Sequence, residues 1–170
     1  FTMSHPYNST RTIFFTNELV AAFKLLASNK HFFRNNTMGS WAGAMGYTQF
    51  IPSSVLAYAV DGNKDGIIDI INNKVDAIHS AANYLNKAKW QKGQSIITEI
   101  SENELKSIDI CKDVNQPYKG GTLVLQELDP DRYFITYDNY QTILRWNRSF
   151  AFAFGVQSII NELKNMQEVK

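Results

Sequence analysis

The stretch GSWAGAMGYTQFIPSS, residues 39–54, limits what this chain can fold into more than any other part of the sequence. It combines three glycines and two alanines with three aromatic residues and the uncharged amide Gln49. That many small residues disfavour a regular helix, and three aromatic side chains are not typical of a flexible linker. Small residues let the backbone approach a ligand closely, while aromatic faces and an amide contact it from the sides. The pattern therefore predicts a binding surface.

Length and composition place the chain among ordinary globular proteins. It has 170 residues, 44% of them apolar and 19% charged, which predicts one sizeable folded core. A formal net charge of +1, without a basic run, gives no reason to expect a nucleic-acid partner. Cys111 is the only cysteine, so an internal disulfide is excluded. The longest apolar run, 149–160, is broken by Gly155 and Gln157 and is too short to span a bilayer.

Helical periodicity recurs along the chain and predicts four helices. The first covers 18–27, and the second starts at Pro52, with a serine at 53 or 54 supplying the capping oxygen. The third begins at Asn73 and Asp76, which are spaced as in a capping box, and the last follows residue 149. The residues predicted to be buried are Leu19, Phe23 and Leu26 in the first helix, Val75, Ile78, Ala82 and Leu85 in the third, and Phe152, Val156, Ile159 and Leu163 in the last.

Residues 93–137 have a different composition, with polar turns and alternating apolar residues. Turn sequences at 115–117 and 119–121, and alternation over 122–128 and 133–137, predict a small strand-containing insertion. The predicted fold class is therefore α+β, mainly α. Its parts are a helical region at 1–91, a small β-containing subdomain at 92–137 and a helical region at 138–170.

The segment DGNKDGIID, residues 61–69, matches the first nine positions of a calcium loop between two helices. Hard cations take oxygen ligands from alternate residues, and the candidates are Asp61, Asn63, Asp65, the backbone carbonyl of Ile67 and, more distantly, Asp76. The loop departs from the pattern at its twelfth position, where Asn72 replaces the usual bidentate glutamate. We expect an EF-hand-like loop over 61–76 that binds a structural Ca²⁺. The alternative is a solvated turn in which Asp76 stabilises a helix N-terminus.

Taken together, these segments resemble the lytic murein transglycosylase B family. The resemblance rests on GSWAGAMGYTQFIPSS, the acidic loop that follows it, 82–84, and RWNRS at 145–149. It implies a lysozyme-like helical core with a small β subdomain and a bound calcium. It also implies cleavage of the β-1,4 bond between N-acetylmuramic acid (MurNAc) and N-acetylglucosamine (GlcNAc) in peptidoglycan. The muramyl C6 hydroxyl closes onto C1 in this reaction and leaves a 1,6-anhydro product.

The same resemblance implies a set of saccharide-binding residues: Ser40, Gln49, Tyr84, Trp146 and Asn147. The family usually has tyrosine at the position of Trp146, so a role that needs a hydroxyl does not carry over there. Each residue also has a purely structural interpretation. The 39–50 stretch could be tight core packing, Tyr84 an ordinary amphipathic residue, and Asn147 the N-cap of the last helix.

The general acid that glycosidic cleavage requires is not identifiable in the sequence. The resemblance places it in a Glu-Ser/Thr-x-x-Gly motif, and residues 1–170 contain none. Glu18 belongs to a helix that is not catalytic in the family, and we interpret it as a solvated charge on the helix surface. We therefore assign no catalytic residue and expect the glutamate upstream of Phe1. On its own, the chain is expected to be inactive.

Three functions remain open at this point. The leading one is part of a peptidoglycan lytic transglycosylase of the bacterial periplasm, monomeric and with a possible membrane association through a preceding region. The second is a non-catalytic peptidoglycan-binding protein. The third is a calcium-responsive sensor, which a single loop with Asn72 disfavours because sensors typically carry paired loops.

Overall fold

The computed structural model describes residues 10–28, 39–106, 108, 115–126 and 132–168. Two compact units are present, Phe1–Lys87 and Ala88–Lys170. The first is helical and the second combines helices with a sheet, which confirms the predicted α+β class, mainly α. The boundaries predicted near 91 and 137 stay predictions. Among the described helices, none is both long and apolar enough to cross a bilayer.

Helices α1 (Thr10–Ser28), α2 (Pro52–Tyr58) and α3 (Lys74–Lys87) form the first unit. The buried face of α1 consists of Phe15, Glu18, Ala21 and Leu25. The predicted face is wrong, because its member Phe23 is 61% exposed and Leu19 and Leu26 are also exposed. The apolar pattern missed the buried stripe because that stripe includes a carboxylate and a small residue.

The first turn of α2 is stabilised from outside the helix. Pro52 stands in the first turn, where its missing N–H costs nothing. The N-cap residue Ile51 offers no side-chain cap. Instead, the carboxylate of Glu18 accepts hydrogen bonds from the Ser53 backbone N–H at 2.9 Å and from the Ser53 hydroxyl at 2.7 Å. The prediction that a serine supplies the capping oxygen is therefore wrong.

Helix α3 begins as predicted but faces the core differently. Asn73 Oδ1 accepts hydrogen bonds from the N–H groups of Val75 and Asp76, which confirms the Asn73 cap. The reciprocal half of the predicted capping box is wrong, because the Asn73 N–H bonds the Asp69 carbonyl and the Asp76 carboxylate bonds N–H groups of the preceding loop. The residues that the helix buries are Asp76, Ala77, Ser80 and Tyr84. The predicted face is wrong, since Ile78 is 69% exposed and Val75 and Ala82 are exposed as well.

The second unit contains a four-stranded antiparallel sheet in the order β1-β4-β3-β2. The strands are β1 (Ile97–Glu99), β2 (Pro117–Tyr118), β3 (Gly121–Gln126) and β4 (Arg132–Thr136), and the short helix α4 (Glu102–Leu105) follows β1. Lys119 and Gly120 join β2 to β3 with φ of 45° and 77°, the left-handed pair that a two-residue hairpin favours. The predicted insertion is thus confirmed as a sheet, with Leu123, Ile135 and Ile100 as its core cluster.

Helices α5 (Asp138–Trp146) and α6 (Phe150–Glu168) complete the second unit. Phe150 and Phe154 of α6 contact Phe134 of β4, with ring centroids 5.0 and 5.8 Å away. Ala153 and Gln157 are the buried residues of this helix face. The stripe predicted for the last helix is wrong, since Phe152, Ile159 and Leu163 are all exposed.

Candidate functional site

Residues 39–50 fold as two consecutive turns, and helix α2 begins at Pro52. In the first, Ser40 Oγ accepts the N–H groups of Ala42 at 3.3 Å and Ala44 at 3.1 Å. In the second, an isolated antiparallel bridge pairs Met45 with Phe50, and both side chains are buried. The residues between them, 46–49, form the tip of this turn.

Gln49 lies exposed at the tip, in a backbone conformation that side chains other than glycine rarely adopt. Its φ is 51°, which costs about 1–2 kcal/mol for a residue with a Cβ. The side-chain amide donates to the Gly46 carbonyl at 2.9 Å. Its oxygen remains available to accept a hydrogen bond, so the residue can both hold the turn and meet a polar ligand. Strained backbone of this kind is concentrated at ligand sites.

The turn is attached to the acidic loop through glycine. Gly46 has φ 68°, and a Cβ there would lie 2.4 Å from the carbonyl oxygen of Ile70. The adjacent Tyr47 N–H donates to that same oxygen at 3.1 Å. Ile70 is fully buried, so the position of the turn is fixed from the core side by a residue of the loop itself.

Tyr84 supports the turn from beneath. It is 8% exposed, and its ring lies 5.7 Å from that of Phe50 and 4.6 Å from that of Tyr58. Tyr58 is held in turn by Lys87, whose ammonium lies 5.7 Å from its ring centroid. The aromatic cluster thus links the turn to α2 and α3, and most of the Tyr84 side chain packs inside it.

The acidic loop, residues 59–73, connects α2 to α3, and its carboxylate oxygens accept hydrogen bonds from backbone N–H groups of the loop. Asp61 accepts the N–H groups of Lys64, Asp65 and Gly66. Asp65 accepts from Ile67 N–H and from the side-chain amide of Asn63, both at 2.8 Å.

Asp76 is the fully buried member of the predicted ligand set. Its two carboxylate oxygens accept the N–H groups of Gly62, Asn63 and Asp69 at 2.9, 3.3 and 2.8 Å. The helix therefore anchors both ends of the acidic loop through one side chain.

The predicted ligands suit calcium by their chemistry, because all of them are oxygens. Their arrangement does not form a metal site by itself. Over the described ranges, no three His, Cys, Asp or Glu side chains are grouped closely enough to bind one ion. The oxygens are instead satisfied by loop amides. Asp61, Asn63, Asp65, Ile67 and Asp76 thus stay a predicted metal site.

The remaining predicted residues, Trp146 and Asn147, belong to the second unit. Trp146 ends α5 half-buried, and Asn147 is its exposed C-cap, with its N–H bonded to the Ile143 carbonyl at 3.0 Å. Ser149 caps α6 by accepting the Phe152 N–H, so the interpretation of Asn147 as the N-cap of the last helix is wrong.

Glu18 was misjudged from the sequence, where it was interpreted as a solvated charge. It is 7% exposed and its carboxylate binds Ser53. The available signal was its position in the stripe formed by Phe15, Ala21 and Leu25. Asn139 was also missed: it is fully buried, and its side chain bonds the backbones of Gln91 and Gln94.

Two other carboxylates are poor proton donors. A hydrogen bond from Arg132 lowers the pKa of Glu99, and one from Lys119 lowers the pKa of Glu104. A general acid needs the opposite change, a pKa raised toward neutrality. Glu127 and the side chain of Glu102 lie outside the described residues.

Comparisons with known proteins agree with this geometry. The family model described as "Transglycosylase SLT domain" matches residues 1–160. Membrane-bound lytic murein transglycosylase B of Escherichia coli (strain K12) is 33% identical over 172 residues, which cover 91% of this chain and 47% of that protein. The chain thus spans about half of this relative's length.

Two solved structures extend the comparison. The E. coli lytic transglycosylase Slt35 in complex with calcium matches 96% of this chain and 57% of its own, with a TM-score of 0.71 and 29% identity. SltB3 of Pseudomonas aeruginosa in complex with NAG-anhNAM-pentapeptide matches 89% of this chain and 46% of its own, with a TM-score of 0.67 and 31% identity. The lysozyme-like architecture and the resemblance to the lytic murein transglycosylase B family are both confirmed. The chain belongs to the transglycosylase SLT domain family.

Proposed function

We propose that this chain is the glycan-binding part of a peptidoglycan lytic transglycosylase. The observation that carries the proposal is the exposed, strained Gln49 at the tip of a turn whose backbone is fixed against Ile70. A rigid turn with a free amide oxygen and small neighbours suits the hydroxyl and N-acetyl groups of a sugar. Family membership supports the same ligand, since SltB3 is known in complex with a peptidoglycan fragment.

The proposed contacts divide between the two units. In the first, Gln49 and Ser40 are exposed and meet the sugar directly, while Tyr84 acts mainly by holding Phe50 and the turn in place. In the second, Trp146 offers an indole face and Asn147 an exposed amide. Because the family reaction closes the muramyl C6 hydroxyl onto C1, the enzyme must hold the MurNAc ring in one orientation, and we treat the contacts of each unit as a separate glycan-binding surface.

Cleavage of the MurNAc–GlcNAc bond requires a proton donor for the leaving GlcNAc oxygen and a base for the C6 hydroxyl. No residue of this chain is assigned either role. We expect the verified 170-residue polypeptide to release no 1,6-anhydromuropeptides from purified sacculi, as measured by chromatography and mass spectrometry of the soluble products. Turnover by this sample would show that the acid lies within the chain. A periplasmic location is proposed from the substrate alone.

Gln49→Ala tests the binding site directly. The alanine keeps the Cβ at the same φ, so the backbone strain is retained, and loss of the exposed hydrogen bond to the Gly46 carbonyl should lower the melting temperature only slightly. The affinity for a GlcNAc tetramer, measured by calorimetry, should fall about tenfold because a paired ligand group loses its partner. Asn86→Ala is the matched control, since Asn86 is an exposed amide on α3 about 200° around the helix from Tyr84. Unchanged affinity in Gln49→Ala would make Gln49 purely structural.

We also propose that the acidic loop binds a structural Ca²⁺ through Asp61, Asn63, Asp65, the Ile67 carbonyl and Asp76. Slt35 is known in complex with calcium, and the oxygens of this loop have the required chemistry. The ion would stiffen the loop that precedes Ile70 and would take no part in proton transfer.

Adding calcium to the chelated protein should raise its melting temperature, because the ion binds only the folded loop. Asp61→Ala and Asp65→Ala should abolish the shift, whereas Asp138→Ala, at an exposed carboxylate in α5, should keep it. A wild-type protein whose melting temperature ignores calcium would contradict the proposed site while leaving the glycan site untouched.

A further inference from the structure

The second unit contains an open pocket of about 650 Å³ at the end of α5. The lining residues are Tyr140, Gln141, Leu144, Arg145, Arg148 and Phe150. On α5 the first four of these share one face. The buried residues Asn139, Thr142 and Ile143 occupy the opposite face, and helical spacing places Trp146 with them. The pocket is therefore distinct from the surface on which Trp146 was predicted to bind sugar.

The pocket carries two positive charges and no acidic lining residue. Arg145 and Arg148 are both exposed. The ion pairs found in the described part of the chain, Lys119 with Glu104 and Arg132 with Glu99, involve neither of them. A concave surface with charge of one sign attracts the opposite charge, and guanidinium groups bind carboxylates in a bidentate manner.

The other lining residues add a hydroxyl, an amide and apolar surface. Burial raises the pKa of Tyr140, so its phenol stays protonated at neutral pH and can donate a hydrogen bond. The Tyr140 ring contacts that of Phe150, with centroids 6.5 Å apart, and Leu144 adjoins them in the lining. Cationic groups beside an apolar wall suit a peptide that ends or branches in a carboxylate.

We propose that this pocket binds a carboxylate of the peptide stem that MurNAc carries, through Arg145 and Arg148. The inference rests on the proposed function, because the stem reaches the pocket only if the sugar is held near Trp146 and Asn147. The distance is compatible: a helix is about 10–12 Å across with its side chains, which three or four extended peptide residues span. The pocket would thus bind the peptide part of the ligand and not its sugar part.

Calorimetry with three ligands tests the inference on the whole 170-residue protein. The ligands are GlcNAc-MurNAc carrying a pentapeptide, the same compound with its peptide carboxylates amidated, and the peptide-free disaccharide. The acidic peptide ligand should bind about tenfold more tightly than the amidated one. Arg145→Gln and Arg148→Gln should each remove about a fivefold part of that advantage, and neither should alter binding of the peptide-free disaccharide.

Lys164→Gln removes an equal charge from an exposed position on α6 and serves as the control. It should leave the preference for the acidic peptide unchanged, and all variants should keep the wild-type melting temperature. Equal affinity for the acidic and amidated peptides, or an arginine effect that also appears with the peptide-free disaccharide, would overturn the inference alone. Failure of the wild-type protein to bind any of the three ligands would overturn the proposed function and this inference with it.

Discussion

The two units bury polar side chains of different kinds. In the first unit two buried carboxylates bind the backbone of other segments: Glu18 joins α1 to the start of α2, and Asp76 joins α3 to the acidic loop. In the second unit two buried amides have this role: Asn139 holds residues 91–94, and Gln157 accepts a hydrogen bond from the Ile96 N–H at 2.6 Å. A carboxylate only accepts hydrogen bonds, whereas an amide both donates and accepts.

This difference explains what each unit can hold in place. A carboxylate suits a segment whose backbone N–H groups converge, such as a helix start or a tight loop, and the first unit offers both, at Ser53 and at residues 62–69. An amide suits a segment that presents both N–H and C=O groups, as residues 91–94 do to Asn139. The start of α2 and the acidic loop, where we propose calcium binding, therefore each depend on a buried carboxylate.

Among the substitutions that test this difference between the units, Asp76→Asn should cause the largest loss of stability. The substitution keeps the shape but replaces one acceptor oxygen by an NH₂ group that faces a backbone N–H. We expect a loss of about 3 kcal/mol in the free energy of unfolding, measured by urea denaturation with chelator present. The reverse exchange, Asn139→Asp in the second unit, should cost a similar amount because the carbonyls of Gln91 and Gln94 lose their donor. A neutral Asp76→Asn would show that the first unit does not need an ionised acceptor.

Gly46→Ala should have the next largest effect and tests how the turn is fixed. Alanine would have to adopt a left-handed φ of 68°, and its Cβ would lie 2.4 Å from the carbonyl oxygen of Ile70. Gly66 has a φ of 87° and open space around its Cβ position, so Gly66→Ala isolates the backbone strain. We expect about 1 kcal/mol for Gly66→Ala and at least twice that for Gly46→Ala, measured by chemical denaturation. Equal losses would mean that the turn can move away from Ile70.

The ion pair of Glu99 with Arg132 should give the smallest effect, because both side chains are partly exposed and solvent screens them. Since the hydrogen bond from Arg132 lowers the pKa of Glu99 below the ordinary value of a glutamate, the pair stabilises the fold fully at a pH above that ordinary value. The stabilisation is lost as the pH falls through the folded-state value. The melting temperature of Glu99→Gln should lie slightly below wild type at neutral pH and equal it in acid. A difference that persists below the folded-state pKa would exclude the charge as its cause.

The sequence predicted the parts of the fold that depend on local chemistry. The β2–β3 turn at Lys119 and Gly120 and the Asn73 cap are each decided by residues close together in the chain. The buried faces of α1, α3 and α6 were not predicted correctly. Those faces contain Glu18, Asp76 and Gln157, whose partners lie 35, up to 14 and 61 residues away. A prediction that considers only apolar residues therefore assigns the wrong buried face to such helices.

The candidate site also has features that the local sequence predicts and features that depend on distant contacts. The motif identified Gln49 as a residue of interest, but its φ and its exposure follow from the Met45–Phe50 bridge and from the contact of Gly46 with Ile70. The RWNRS motif contains Arg145 and Arg148, but the sequence did not indicate a pocket there, because its lining depends on which face of α5 is buried.

The central claim, that the turn at 45–50 meets glycan, is tested most directly by amide chemical shifts. A GlcNAc tetramer titrated into the isotope-labelled 170-residue protein should produce its largest changes in the first unit at the backbone N–H groups of 40–50 and at the Gln49 side-chain amide. Saturable binding that leaves these signals in place and moves others in the first unit would contradict the claim.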